Sequence, residues 1–298
     1  MTVIAPFPAE TSAASAFVRQ DYPIRDRISA DGSSGFRAEP GRYHLYVALG
    51  CPWAHRTIIV RKLLGLEDVI SLSVVAPIRD ERGWAFSDGP GHTADPVNGF
   101  QFLSEAYLLT DPNFNLRYSV PALWDRVTHR LVSNNFPDIT IDLETQFHAY
   151  QRPDAPDLYP AHLRAEIDAL NAVIYEDVNN GVYKAGFAAA QEPYEAAVDA
   201  LFARLDWLEQ RLSGQRFLVG DQITEADVRL FPTLVRFDRY RWRTLAGSYA
   251  HAATGANLAN AERRVWACGV SANQAASRIK LSAVAINRWR SRVLARPM

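Results

Sequence analysis

Apolar and polar positions follow two rhythms along this chain, and the change of rhythm divides it. Tyr43-His44-Leu45-Tyr46-Val47-Ala48-Leu49 is almost continuously apolar, the pattern of a strand buried on both faces. Residues 57–64 carry a helical period and stop at Gly65, and Leu72-Ser73-Val74-Val75 reads as a second strand. Together they predict a βαβ unit within residues 41–75. Residues 76–118 are long for a connection; they hold a turn region at Asp88-Gly89-Pro90-Gly91 and a short helical pattern at 103–107. Residues 119–125 and 130–133 read as a hairpin, and 139–149 as a helix. The order is β-α-β, insertion, β-β-α, which is a thioredoxin-like topology.

After Gln151-Arg152-Pro153-Asp154-Ala155-Pro156, a linker with two prolines, every pattern is helical. Residues 162–176 form one amphipathic helix, and Asn179-Asn180-Gly181 breaks it. A second runs over 192–212 with Ala196, Val198, Leu201, Phe202, Leu205, Leu208 and Leu212 on its apolar side, and Gly214 ends it. Thr224 and Asp227 stand close to a capping-box spacing and open a helix that Pro232 kinks or re-pitches. The expected architecture is an α/β thioredoxin-like domain at 41–150 with an insertion at 76–118, then an all-α domain at 157–238. A polar, irregular extension at 1–40 precedes them, and an atypical tail at 239–298 follows.

Composition adds limits. A chain of 298 residues, 48% hydrophobic and 22% charged, is expected to be a soluble globular protein of one or two domains. It holds no apolar run long enough to span a membrane, and its start has neither the basic region nor the apolar core of a secretion signal. Two cysteines, Cys51 and Cys268, make no disulfide framework, so a reducing cytoplasm is the expected location. The histidines lack metal-ligand spacing and no Gly-rich phosphate loop occurs, so no metal cofactor is expected.

The net charge of −1 hides an asymmetry: residues 239–298 hold eleven Lys/Arg and one acid, while residues 1–238 hold 21 basic and 32 acidic residues. A basic tail can bind nucleic acid or a membrane. The switch is abrupt and the tail has no clean periodicity, which favours a frameshifted segment over a binding arm. Neither nucleic acid nor membrane is an expected partner.

The chemistry concentrates at Gly50-Cys51-Pro52-Trp53-Ala54-His55-Arg56, where the first strand hands over to the first helix. Unpaired N–H groups and the helix dipole favour a thiolate at that place. Pro52 fits the first turn, where its missing N–H is no loss. A buried structural cysteine is the alternative, but packing explains poorly a cysteine between Gly and Pro at such a junction. Ala54 stands where a dithiol motif would carry its second cysteine, so the expected chemistry is a mixed disulfide with a small external thiol.

These residues resemble the glutathione transferases. Cys51-Pro52-Trp53-Ala54 is joined to an all-helical domain carrying Gly220-Asp221-Gln222-Ile223-Thr224-Glu225-Ala226-Asp227. More closely, Gly50–Arg56, Arg82-Gly83-Trp84, Asn180-Gly181-Val182-Tyr183-Lys184-Ala185-Gly186-Phe187 and Leu234-Val235-Arg236-Phe237-Asp238 resemble the Xi class, the glutathionyl-hydroquinone reductases. The resemblance covers roughly residues 20–238.

It implies reduction of S-glutathionyl or otherwise S-thiolated hydroquinones and related mixed disulfides. The Cys51 thiolate attacks the thioether sulfur, the hydroquinone leaves, and a second thiol resolves the mixed disulfide. Tyr183 would bond the quinol oxygen and assist departure. Trp84 would pack against the thiol ligand, and Val120, before a cis Pro121, would offer it backbone hydrogen bonds. The partner is a small quinone or hydroquinone thioether, and a homodimer follows by the same analogy. Two readings compete: thiol conjugation to electrophiles, which a cysteine serves poorly, and a non-catalytic binding protein on a transferase scaffold.

The chain departs from the family pattern twice. Asn135-Phe136 stand where the family carries Glu-Ser for the γ-glutamyl end of glutathione. An amide and an aromatic ring replace a charge-assisted acceptor and a small hydroxyl, which admits another low-molecular-weight thiol, such as mycothiol, in place of glutathione. Beyond residue 238 the family's second active-site tyrosine has no counterpart, since Tyr249 is the last tyrosine in the chain; its loss would impair the site.

Overall fold

The computed structural model of the chain describes residues 10–237. The expectations placed on residues 239–298, including the frameshift and the missing tyrosine, lie outside the described residues. The chain divides into two compact units. Gln20–Tyr159 belong to the first, and Glu10–Arg19 join the residues from Pro160 onward in the second.

The first unit is built on a four-stranded sheet. Its elements are β1 (Tyr43–Val47), α1 (Pro52–Leu63), β2 (Ser71–Val74), α2 (Leu103–Thr110), β3 (Ala122–Asp125), β4 (Arg130–Ser133) and α3 (Phe136–Thr145). The strand order is β2-β1-β3-β4, with β1 parallel to β2 and antiparallel to β3. All five residues of β1 are buried, as its continuous apolar run requires. His44 tolerates that burial because its two ring nitrogens meet the hydroxyls of Ser71 and Ser73 at 2.7 and 2.9 Å. Burial pushes its pKa down to about 4, so the ring is neutral at pH 7.

Helix α3 begins earlier than the periodicity suggested, at Phe136 rather than 139. Asn135 is its N-cap: the side-chain oxygen accepts from the Asp138 N–H at 3.2 Å. Pro137 falls in the first turn, where a proline costs no hydrogen bond. The apolar period starts only at Ile139, so the sequence pattern places the helix start three residues late.

Residues 20–40 hold little regular structure but are bound to α3. Arg25 grips Asp138 with two bonds of 2.7 and 2.9 Å, and Arg27 reaches Asp142 at 2.9 Å. The Ile28 N–H donates to the other Asp142 oxygen at 2.8 Å, and Ile28, Phe36 and Ala38 are buried.

The second unit contains α4 (Arg164–Ile174), α5 (Gly181–Phe187), α6 (Gln191–Gly214) and α7 (Glu225–Phe237). A single π turn, Tyr175–Asn179, carries α4 to α5 where the sequence suggested a break. In α6 the buried stripe is Ala197, Leu201, Phe202, Leu205, Leu208 and Leu212, so Ala197 rather than Ala196 continues it toward the N-terminus. At the start of α7 the Asp227 carboxyl accepts from the Thr224 N–H and hydroxyl at 3.0 and 3.1 Å and from the Leu218 N–H at 2.9 Å. Burial pushes its pKa up to about 6 against those donors. Helix α7 runs on through Pro232. No described helix is long and apolar enough to cross a membrane.

Candidate active site

Cys51 occupies the N-cap position of α1, with extended backbone angles of −82° and 116°. Its N–H closes the turn on the Ala48 carbonyl at 3.0 Å, and its carbonyl accepts the first helical bond, from His55, at 3.0 Å. No side chain caps the helix, so the first-turn amides around the sulfur are not engaged by a capping group. This is the place at which backbone dipoles favour an anion.

The sulfur is buried and donates to the Val120 carbonyl at 3.4 Å. The Val120–Pro121 peptide is cis, as the family resemblance implies. Tyr107 of α2 supports this loop: its hydroxyl donates to the Ser119 carbonyl at 2.8 Å and accepts from the Ser119 N–H at 3.2 Å. The Asn134 amide donates to the Ser119 hydroxyl at 3.4 Å. Neither Tyr107 nor Asn134 stood out in the sequence, because each acts on backbone that only the fold brings near.

Asn135 and Phe136 lie at the start of α3, and their side chains have structural work. The Asn135 oxygen is engaged in the cap. Phe136 is 4% exposed, and its ring centroid lies 5.1 Å from that of Trp53. The Arg56 guanidinium lies over both rings, at 4.6 Å from Trp53 and 5.1 Å from Phe136. Trp84, in the insertion, is half-buried; its carbonyl accepts from Leu103 at 2.9 Å, and Arg79 lies 5.6 Å from its ring. The first unit therefore brings Cys51, Val120 and Pro121 together. Phe136 packs on Trp53, two residues beyond the thiol.

Tyr183 belongs to the second unit and is buried in α5. Phe17 and Phe187 stack near its ring, with centroids 6.2 and 6.1 Å away. The Arg19 guanidinium lies over it at 4.3 Å. Phe17 and Arg19 come from the stretch read as a featureless polar extension, and only their contacts mark them.

The glutathione S-transferase N-terminal domain pattern matches residues 50–146, and the C-terminal domain pattern matches residues 191–255. The glutathionyl-hydroquinone reductase PcpF of Sphingobium chlorophenolicum is 48% identical over 227 residues, which cover 76% of this chain and 71% of that protein. The chain belongs to the Xi-class glutathione transferases, the glutathionyl-hydroquinone reductase family. The Xi transferase of Phanerochaete chrysosporium has a similar structure, with a TM-score of 0.73 at 45% identity, over 79% of this chain and 80% of that one. The glutathione-bound structure of YqjG from Escherichia coli K-12 is similar at a TM-score of 0.71 and 49% identity, over 76% of this chain and 75% of that one. A Xi-class transferase with Asn135 and Phe136 at the start of α3 presents there a capping amide and a packed ring, not a carboxylate and a hydroxyl.

Proposed function

We propose that this protein is a glutathionyl-hydroquinone reductase working through Cys51. The thiolate attacks the sulfur of an S-thiolated hydroquinone, forming an S–S bond as the aryl C–S bond breaks. The substrate reacts as its keto tautomer, in which the sulfur-bearing carbon has taken the proton of the neighbouring hydroxyl. The electron pair of the broken bond passes into the ring and onto that oxygen, which takes a proton as the hydroquinone leaves. A second low-molecular-weight thiol attacks the mixed disulfide, releasing the symmetric disulfide and Cys51. Overall one thiol and one aryl thioether become a disulfide and a hydroquinone, so atoms and electrons balance. Tyr183 donates a hydrogen bond to the quinol oxygen as charge builds there. The observation that carries this reading is the Cys51 sulfur at a helix start without a side-chain cap, bonded to the loop before Pro121, in a chain of this family.

Conjugation to electrophiles fits less well, because a cysteine nucleophile would itself be thiolated. The co-substrate thiol is a finer question. Glutathione is named in the structure of the relative YqjG. At the start of α3, Asn135 spends its oxygen on the cap, and the acid of the first turn, Asp138, is gripped by Arg25. These residues supply no carboxylate that is not already engaged for a γ-glutamyl ammonium, and such a cation left without a partner is costly. We therefore favour a thiol without that group, such as mycothiol.

Calorimetry and single-turnover resolution of thiolated Cys51 with each thiol test this. Resolution by mycothiol about tenfold faster than by glutathione is the expected result, the scale of one charge-assisted hydrogen bond. Tight binding and fast resolution by glutathione alone would leave mycothiol without a role. Failure of both thiols to resolve the disulfide would instead support the binding-protein reading.

A further inference from the structure

The segment Glu10–Arg19 straps helix α5 from end to end. It folds back on itself through bonds from the Ser12 N–H to the Ala16 carbonyl at 2.8 Å and from the Val18 N–H to the Glu10 carbonyl at 3.0 Å. The Ser15 carbonyl accepts from Ala189, just past the end of α5, at 2.8 Å. Phe17 stacks beside Tyr183 and Phe187 in the middle. Arg19 donates from Nε to the Asn180 side-chain oxygen, just before α5, at 2.8 Å.

These contacts fix the Arg19 guanidinium across the face of the Tyr183 ring, 4.3 Å from its centroid. A guanidinium can do both jobs at once, donating in its plane while its face lies on a ring. If the strap only needed anchoring, a Met or Leu at position 19 would pack beside Phe17 without desolvating a charge.

We infer that Arg19 is a positioning residue for the reduction: its cation draws electron density from the Tyr183 ring and makes the phenol a stronger donor to the departing hydroquinone oxygen. The inference rests on the reading of Tyr183 as that donor. Arg19 is not expected to touch the substrate. The charge that develops on the quinol oxygen exists in the transition state and not in the bound substrate, so the effect falls on kcat and spares KM.

Steady-state kinetics of Arg19→Gln, Arg19→Lys, Tyr183→Phe and the double variant Arg19→Gln/Tyr183→Phe test it, with a hydroquinone thioether of whichever thiol, glutathione or mycothiol, resolves thiolated Cys51 faster, and that thiol as co-substrate. Gln keeps a donor for Asn180 and loses the charge. Its kcat should fall about tenfold with KM within about twofold of wild type, the scale of a partly desolvated cation–π contact. Arg19→Lys should lie between the two. In the Tyr183→Phe background Arg19→Gln should change kcat by less than about twofold, since the hydroxyl it acts on is gone.

A loss of the same size in both backgrounds overturns the inference, as does a change confined to KM or a lysine variant no better than glutamine. A Tyr183→Phe variant with wild-type kcat overturns the reading of Tyr183 itself, which separates the two failures. Should Arg19→Gln fail to fold, Arg19→Met takes its place with the same expectations. The rate of Cys51 alkylation should be the same in all variants.

Discussion

Around Cys51 the chain works with backbone, and around Tyr183 it works with side chains. The thiol sits on a turn closed by main-chain bonds from Cys51 to Ala48 and from His55 to Cys51, and its sulfur meets a main-chain carbonyl. Tyr183 instead lies among Phe17, Phe187 and Arg19, with Asn180 holding the guanidinium. A backbone site is specified by topology, so it tolerates change in the flanking side chains and depends almost wholly on the one reactive atom. A side-chain cluster spreads its effect over several residues and can be tuned by each.

The sharpest way to break this contrast is to change the reactive atom. Cys51→Ser keeps the helix start and the loop but replaces the thiol with a hydroxyl that is scarcely ionised at neutral pH. Turnover should fall about a thousandfold or more, with the melting temperature nearly unchanged. Mass spectrometry after one turnover should find the wild-type adduct on Cys51 and none in the variant. Retained turnover in Cys51→Ser would mean that the external thiol attacks directly, which is the conjugation-like reading.

The same contrast explains what could be read from sequence. The β1–Cys51–α1 junction was legible because strand, turn, proline and helix are neighbours in the chain, and the Thr224–Asp227 cap was legible for the same reason. The strap on α5 was not: Arg19 and Asn180 are separated by 161 positions, and neither has a local pattern to mark it. The start of α3 fell between these cases. Asn135 and Pro137 are start signals, but the apolar period begins after them, so the pattern places the helix late and leaves the N-cap Asn135 and the first helical residue, Phe136, to be read as ligand contacts. Tyr107 looked like one more apolar position in a short helix until the loop at Ser119 was seen to close on its hydroxyl.

In the second unit three buried donors depend on one side chain, Asp227. Removing its carboxyl with Asp227→Ala leaves the Leu218 and Thr224 amides and the Thr224 hydroxyl without their acceptor in a buried site. The expected loss of stability is about 3–4 kcal/mol, from a lost cap and stranded buried donors. Asp227→Asn retains one acceptor oxygen and should lose less. Urea unfolding followed by circular dichroism at 222 nm checks this, since that signal reports the helices of this unit most strongly. If the alanine variant loses no more than the asparagine one, the carboxyl is not what holds the start of α7.

In the first unit the corresponding buried group is His44, and it gives the unit a pH dependence. Its folded pKa is about 4, lowered by burial from the usual 6.5. Between those values the unfolded chain binds a proton that the folded chain refuses, so stability falls as pH drops below 6.5 and levels off below 4. The drop from this residue should be about 3 kcal/mol at most, the free energy of such a shift. His44→Gln retains an amide for the Ser71 and Ser73 hydroxyls and has nothing to protonate. It should therefore be less stable than wild type at pH 7 but less steeply destabilised by acid. Urea midpoints between pH 7 and 4, read by tryptophan fluorescence from the buried Trp53 and Trp124, give the comparison. An equal slope in the two proteins would mean that the imidazole does not carry the acid sensitivity of this unit.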